Sequence, residues 1–142
     1  MSLTTNISPE EGFLYVHVTG TFSLEGSKDM VTRIFDSLVL NPSGKVLVDF
    51  REATREPEMF ERLFHAMHLV DELNSRAPVV ARSTKFAYLG KRPMVDPNRF
   101  GESVAINNGV SVKVTEDPKE ALMWLGLHPA RLSTYIAATM VP

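Results

Sequence analysis

The 142-residue sequence contains no cysteine. This absence excludes disulfide scaffolds, thiolate zinc sites and cysteine nucleophiles, and it fits a reducing compartment. The first six residues, Met-Ser-Leu-Thr-Thr-Asn, include neither the basic nor the apolar segment of a signal peptide. No stretch approaches the roughly 18 apolar residues of a membrane-spanning helix. We therefore expect a cytoplasmic protein without a transmembrane segment.

The sequence also has little net charge and no familiar catalytic motif. Its 15 Lys and Arg residues nearly balance its 17 Asp and Glu residues, which leaves a net charge of −2. This balance argues against binding to nucleic acid or to anionic membranes. The Gly-x-Ser-x-Gly elbow, the Walker loop and the dinucleotide-binding Gly-x-Gly-x-x-Gly motif are all missing. We predict a protein that is not an enzyme, requires no cofactor and binds no nucleic acid.

The length and the 44% hydrophobic content are those of one ordinary globular domain. We assign residues 1–126 to this domain and residues 127–142 to a C-terminal extension. The extension carries several apolar side chains, namely Leu132, Tyr135, Ile136 and Met140. Because these are too many for a free tail, we expect the extension to pack on the domain or on a dimer partner. A homodimer is the commonest form of such self-association.

The pattern of strands and helices predicts an α/β fold. Residues 13–19 form a strand after a weaker strand over residues 3–7, and the apolar run Val46-Leu47-Val48 is typical of a strand buried in a parallel sheet. The remaining predicted elements are a strand supplied by residues 79–81 and then 84–89, a strand over residues 110–115, and helices over residues 24–38, 56–75, 96–107 and 118–125. This order predicts a mixed, mostly parallel sheet of four to five strands, built from β-α units and flanked by helices.

The central strand carries Val46-Leu47-Val48-Asp49, and the last helix carries Pro118-Lys119-Glu120-Ala121-Leu122-Met123-Trp124-Leu125. Together with the order of elements, these segments resemble the SpoIIAA-like group of the STAS domain superfamily over residues 10–126. The resemblance implies a SpoIIAA-like (STAS-like) fold and a non-catalytic regulatory or protein-interaction module with a protein partner. The fold is also similar to lipid-binding domains of the Sec14 type. That similarity implies the alternative function, a carrier or sensor of a small amphiphilic or anionic ligand such as a lipid.

STAS proteins that act as anti-sigma-factor antagonists are switched by phosphorylation of a serine at the start of the helix after the central strand. In this sequence the corresponding stretch, Arg51 to Glu58, contains no serine and no glycine. Thr54 is the one hydroxyl-bearing residue there, and it is a weak candidate for phosphorylation. Acidic neighbours already occupy the place that a phosphate would charge, which disfavours a phosphate switch.

Four basic residues follow two neighbouring strands of the predicted sheet: Arg51, Arg55, Lys91 and Arg92. Because the carboxyl ends of parallel strands meet at one edge of a sheet, these side chains are predicted to converge there. Guanidinium and ammonium groups suit a phosphate, a carboxylate or a lipid head group. The alternative is a local surface network in which the arginines are neutralised by nearby carboxylates, namely Glu52, Glu56 and Glu58.

The helix that begins near residue 56 presents a carboxylate and imidazole set within a 60° arc, at about 100° per residue: Glu61, His65, His68 and Glu72. Residues of these types can bind a transition metal. We favour the alternative, in which the arc is the solvated face of an amphipathic helix and no metal binds. The broad apolar face, which we expect in the core, lies opposite this arc and contains Met59, Phe60, Leu63, Phe64, Met67, Val70 and Leu73.

Overall fold

A computed structural model describes residues 2–128. In chain order, its elements are β1 (Thr4–Glu10), β2 (Phe13–Thr21), α1 (Leu24–Leu40), β3 (Lys45–Thr54), α2 (Met59–Arg76), β4 (Lys85–Leu89), α3 (Phe100–Asn107), β5 (Ser111–Thr115) and α4 (Pro118–Trp124). This confirms the predicted order. Among the described residues, no helix combines the length and the apolar character needed to cross a membrane.

The five strands form one sheet in the order β1-β2-β3-β4-β5. β1 pairs antiparallel with β2, and the other three pairings are parallel. β3 therefore lies at the centre, where both faces are covered and where Val46, Leu47 and Val48 are fully buried. The apolar run of this strand is unbroken because both of its faces are buried at this central position. The predicted mixed, mostly parallel sheet is confirmed.

The helices divide unequally between the two faces of the sheet. Right-handed crossovers between successive parallel neighbours carry α1, α2 and α3 to the same face. Leu14, Val16 and Val18 of β2 point to that face and join its core. Phe13 and Tyr15, which alternate with them, point to the opposite face and pack in a smaller cluster with α4. Because successive side chains of β2 point to opposite faces, the strand contributes residues to two separate cores.

The predicted helix starts are partly confirmed. Ser23 caps α1 by accepting a hydrogen bond from the Gly26 amide, and Asp117 caps α4 by accepting one from the Lys119 amide. Helix α3 begins at Phe100, later than predicted, because the Asp96 carboxylate accepts amide hydrogen bonds that hold residues 96–99 in a turn. Residues 79–81 are not in a strand, so the first segment of the predicted strand is wrong, and the second segment corresponds to β4.

Helix α2 is rotated about its axis relative to the prediction. Glu61 is buried, whereas Met59, Leu63 and Phe64 are exposed. Val70 and Leu73 of the predicted apolar face are buried as expected, and Ala66 and Leu69 join them on the core side of the helix. The expectation of a solvated Glu61–Glu72 arc is therefore wrong. Glu61 and His65 can face inward because each has a hydrogen-bond partner there.

The boundary between domain and extension stays a prediction. Leu127, the first residue assigned to the extension, is buried against the α4 side of the sheet. Its amide donates to the Leu122 carbonyl, so it continues the packing of α4. The expectations about packing of the extension and about a homodimer concern mainly residues 129–142, which lie outside the described residues.

Candidate functional site

Arg51 lies within β3 and is held by a carboxylate of the same strand. Its Nε and Nη2 atoms donate to the two oxygens of Asp49 at 2.8 and 2.7 Å. The Tyr15 hydroxyl donates to the same carboxylate at 2.8 Å. Burial raises the pKa of Asp49, but the bonds and charge of Arg51, with the Tyr15 bond, outweigh burial and leave the pKa below its usual value. This cluster is on the α4 side of the sheet.

Arg55 lies on the other side, at the junction between β3 and α2. Its Nη2 donates to Glu61 Oε2 at 2.6 Å, and its Nε donates to the Phe22 carbonyl at 2.8 Å. The guanidinium also lies over the Phe22 ring, 5.1 Å from the centroid. These bonds hold Arg55 in a left-handed backbone conformation with φ of 69°. The hydrogen bond from Arg55 also lowers the pKa of Glu61.

The other two predicted anion ligands are in the loop after β4. Arg92 pairs with Glu116 at 3.2 Å, and Lys91 is exposed. Three of the four basic residues therefore have their own carboxylate, and Arg51 and Arg55 lie on opposite sides of the sheet. The structure does not bring the four side chains together. Anion binding by them stays a prediction, and so does phosphorylation of Thr54. The hydroxyl of Thr54, the last residue of β3, donates to the Gly20 carbonyl of β2.

The carboxylate and imidazole set of α2 is divided among separate partners. Glu61 binds Arg55, while His68 lies 3.3 Å from the Thr32 hydroxyl and 4.0 Å from Glu72. His65 points elsewhere, toward α1 and β4. Within the described part of the chain, no group of three or more His, Asp or Glu side chains is arranged to hold a metal ion.

His65 joins two hydroxyl groups that lie far from it in the sequence. Its Nδ1 atom is 2.6 Å from Ser27 Oγ, and its Nε2 atom is 2.8 Å from the Tyr88 hydroxyl. Burial, assisted by the nearby charge of His68, lowers the pKa of His65 to about 4, so the ring is neutral at physiological pH. Burial also raises the pKa of Tyr88. The three side chains form a neutral hydrogen-bonded network.

This network borders a cavity of about 130 Å³ between the sheet and helices α1, α2 and α3. The sequence interpretation missed the network, although Ser27 gave a signal. It lies on the same helical stripe as Val31 and Ile34, both fully buried. A serine in such a stripe must find a hydrogen-bond partner. The identity of that partner depends on which helix and strand lie opposite, which only the fold specifies.

The outer face of α2 carries four large apolar side chains on its first two turns: Met59, Phe60, Leu63 and Phe64. Their exposed fractions range from 36 to 66%. The rings of Phe60 and Phe64 meet edge to face, with centroids 6.1 Å apart. We call these four residues the α2 patch. A contiguous apolar surface of this kind is typical of an interaction site.

No family model matches the chain, and no curated protein matches it. Among solved structures, an anti-sigma factor antagonist from Mycobacterium paratuberculosis is similar with a TM-score of 0.56 and 11% identity, over 87% of this chain and 94% of that one. An uncharacterised protein with a SpoIIAA-like fold from Shewanella loihica has a TM-score of 0.49 and 16% identity over the same shares. The first likeness confirms the predicted STAS-like fold.

Proposed function

We propose that the chain is a non-catalytic regulatory module of the STAS type that acts in the cytoplasm by binding a protein partner through the α2 patch. The exposure of four large apolar side chains on the first turns of α2 carries this proposal. Their burial is the strongest driving force for association that the described surface offers, since each large apolar side chain contributes about 1.5–3 kcal/mol when fully buried.

The charges beside the α2 patch indicate the chemistry of the partner. Glu56 and Glu58 precede the helix and are exposed. Arg62, which lies among the patch residues along the helix, donates to the backbone carbonyls of Met94 and Pro93 and is largely withdrawn from solvent. The rim of the patch is therefore acidic at its N-terminal end. We propose a partner with an apolar groove that has basic side chains along one edge.

The alternative function, a carrier of a lipid-sized amphiphile, receives less support. A carrier needs a contiguous apolar cavity of several hundred cubic ångströms. The cavity beside His65 has a volume of about 130 Å³, too little for an acyl chain. The carboxylates paired with Arg51, Arg55 and Arg92 also compete with an anionic head group.

To identify the partner, a photo-crosslinking residue is placed at position 64 of the chain in its native host. The crosslinked protein is purified, and the Kd of its complex with this chain is measured. Phe60→Ser and Phe64→Ser are each expected to weaken binding at least about tenfold, as hot-spot aromatics do. Leu40→Ser is the matched control, because Leu40 is an equally apolar, 81% exposed side chain at the end of α1. Equal weakening by all three variants, or none by the two phenylalanine variants, would contradict the proposal.

A further inference from the structure

The cavity beside His65 is apolar over most of its wall. Side chains from the sheet and from two helices contribute to the wall, namely Val18, Met30, Val48, Phe50, Ala66 and Leu69. A cavity with a volume of about 150 Å³ and a similar aliphatic and aromatic lining accommodates benzene in another protein. The cavity here is partly open to solvent, and its volume of about 130 Å³ suits an occupant of comparable size.

The charged groups along the cavity are already engaged by the protein. Glu61 accepts from Arg55, and Arg62 donates to two backbone carbonyls. Asp96 accepts two amide hydrogen bonds, while Arg99 and Glu102 bind the carbonyl and the amide of Val114. An ionic occupant would give up its hydration without gaining a dedicated counter-charge, which is costly in an apolar site. These contacts favour a neutral occupant.

The Ser27–His65–Tyr88 network holds one more proton than its own hydrogen bonds use. Two hydroxyl groups and a neutral imidazole carry three protons, but they form two mutual hydrogen bonds. If Ser27 donates to Nδ1, the ring donates from Nε2 and the Tyr88 proton is left over. In the other tautomer, the Ser27 proton is left over. Among residues 2–128, no protein group other than His65 is hydrogen-bonded to either hydroxyl to accept this third proton.

We propose that the cavity binds a small neutral molecule, about the size of a six-membered ring with one substituent, whose single hydrogen-bond acceptor takes the third proton of the Ser27–His65–Tyr88 network. A carbonyl or ether oxygen on an otherwise apolar body meets this requirement. The apolar wall binds the body of the molecule, and the hydroxyl proton orients it. This site is separate from the α2 patch and does not depend on the proposed protein partner.

The experiment uses cyclohexanone and methylenecyclohexane, which have nearly the same shape but differ in the acceptor oxygen. Each probe is titrated into the labelled full chain and followed through backbone amide NMR shifts. Cyclohexanone is expected to give saturable shifts and intermolecular NOEs to the methyl groups of Val48 and Ala66. Shifts that do not saturate, or the absence of these NOEs, would overturn the proposed site.

The role of the third proton is tested with the variant Ser27→Ala/His65→Leu/Tyr88→Phe, in which all three donors are removed. Cyclohexanone binding is expected to weaken about three- to tenfold, the effect of one net hydrogen bond, while methylenecyclohexane binding stays within about twofold. Equal changes for the two probes would overturn the hydrogen-bond inference. Ala66→Val narrows the cavity without touching the network and is expected to weaken both probes. Unchanged binding to this variant would place the probes elsewhere and overturn the proposal.

Discussion

His65 is expected to make the fold less stable as the pH falls. Burial lowers its pKa to about 4 in the folded chain, whereas an unfolded histidine titrates near 6.5. Between these values the unfolded chain binds more protons, so the contribution is fully present above pH of about 6.5 and is lost as the pH falls toward about 4. From about pH 7 to about pH 5, linkage gives a loss of about 2 kcal/mol in the free energy of unfolding.

Urea denaturation of the parent and of His65→Gln at these two pH values measures this loss. Glutamine does not titrate but keeps hydrogen-bonding capacity, and every other titratable group is common to both proteins. Asp49, Glu61 and Asp96 have lowered pKa values and remain ionised over this range. The parent is expected to lose about 2 kcal/mol more than the variant. Equal losses, or an NMR titration midpoint of the His65 ring at 6.5 or above, would refute the reasoning.

Two further predictions concern the α4 side of the sheet, and both are measured by urea denaturation. Asp49→Ala deprives the largely buried Arg51 of its carboxylate and should lower the free energy of unfolding by about 3–5 kcal/mol. The control, Glu116→Ala, breaks an exposed pair and should lower it by less than about 1 kcal/mol. Similar losses for the two variants would contradict the burial argument. Leu122→Ala empties a fully buried position and should cost about 2–5 kcal/mol. Its exposed neighbour Met123 is the control, with less than about 0.5 kcal/mol expected for Met123→Ala.

The order of elements could be predicted because its signals are local. The apolar run of β3 and the start of the last helix at Pro118 each depend on a few consecutive residues, and both are confirmed. The pairing of Arg51 with Asp49 could also have been predicted, since residues two apart in a strand share a face. The sequence interpretation instead placed Arg51 in a loop after the strand. The extension of β3 to Thr54, ten residues in all, depends on pairing with β2.

The orientation of α2 could not be predicted from its own residues. By hydrophobicity alone, the phenylalanines belong in the core and His65 belongs in solvent. The inward position of His65 depends on Ser27 and Tyr88, which are 38 and 23 residues away in the sequence. A helical pattern carries no information about such partners. The same limit applies to Arg92, whose carboxylate partner is 24 residues distant.

The orientation of α2 is unfavourable for the stability of the fold in two respects. A buried polar network contributes little net stability, because its hydrogen bonds replace bonds to water. The exposed α2 patch forgoes the burial energy of large apolar side chains. Apolar residues at positions 27, 65 and 88 together, with polar residues at positions 60 and 64, would fold at least as well. Folding alone favours neither the buried polar network nor the exposed α2 patch, whereas binding explains both. The two features lie on opposite sides of α2. The inner side points to a small neutral ligand and the outer side to a protein partner.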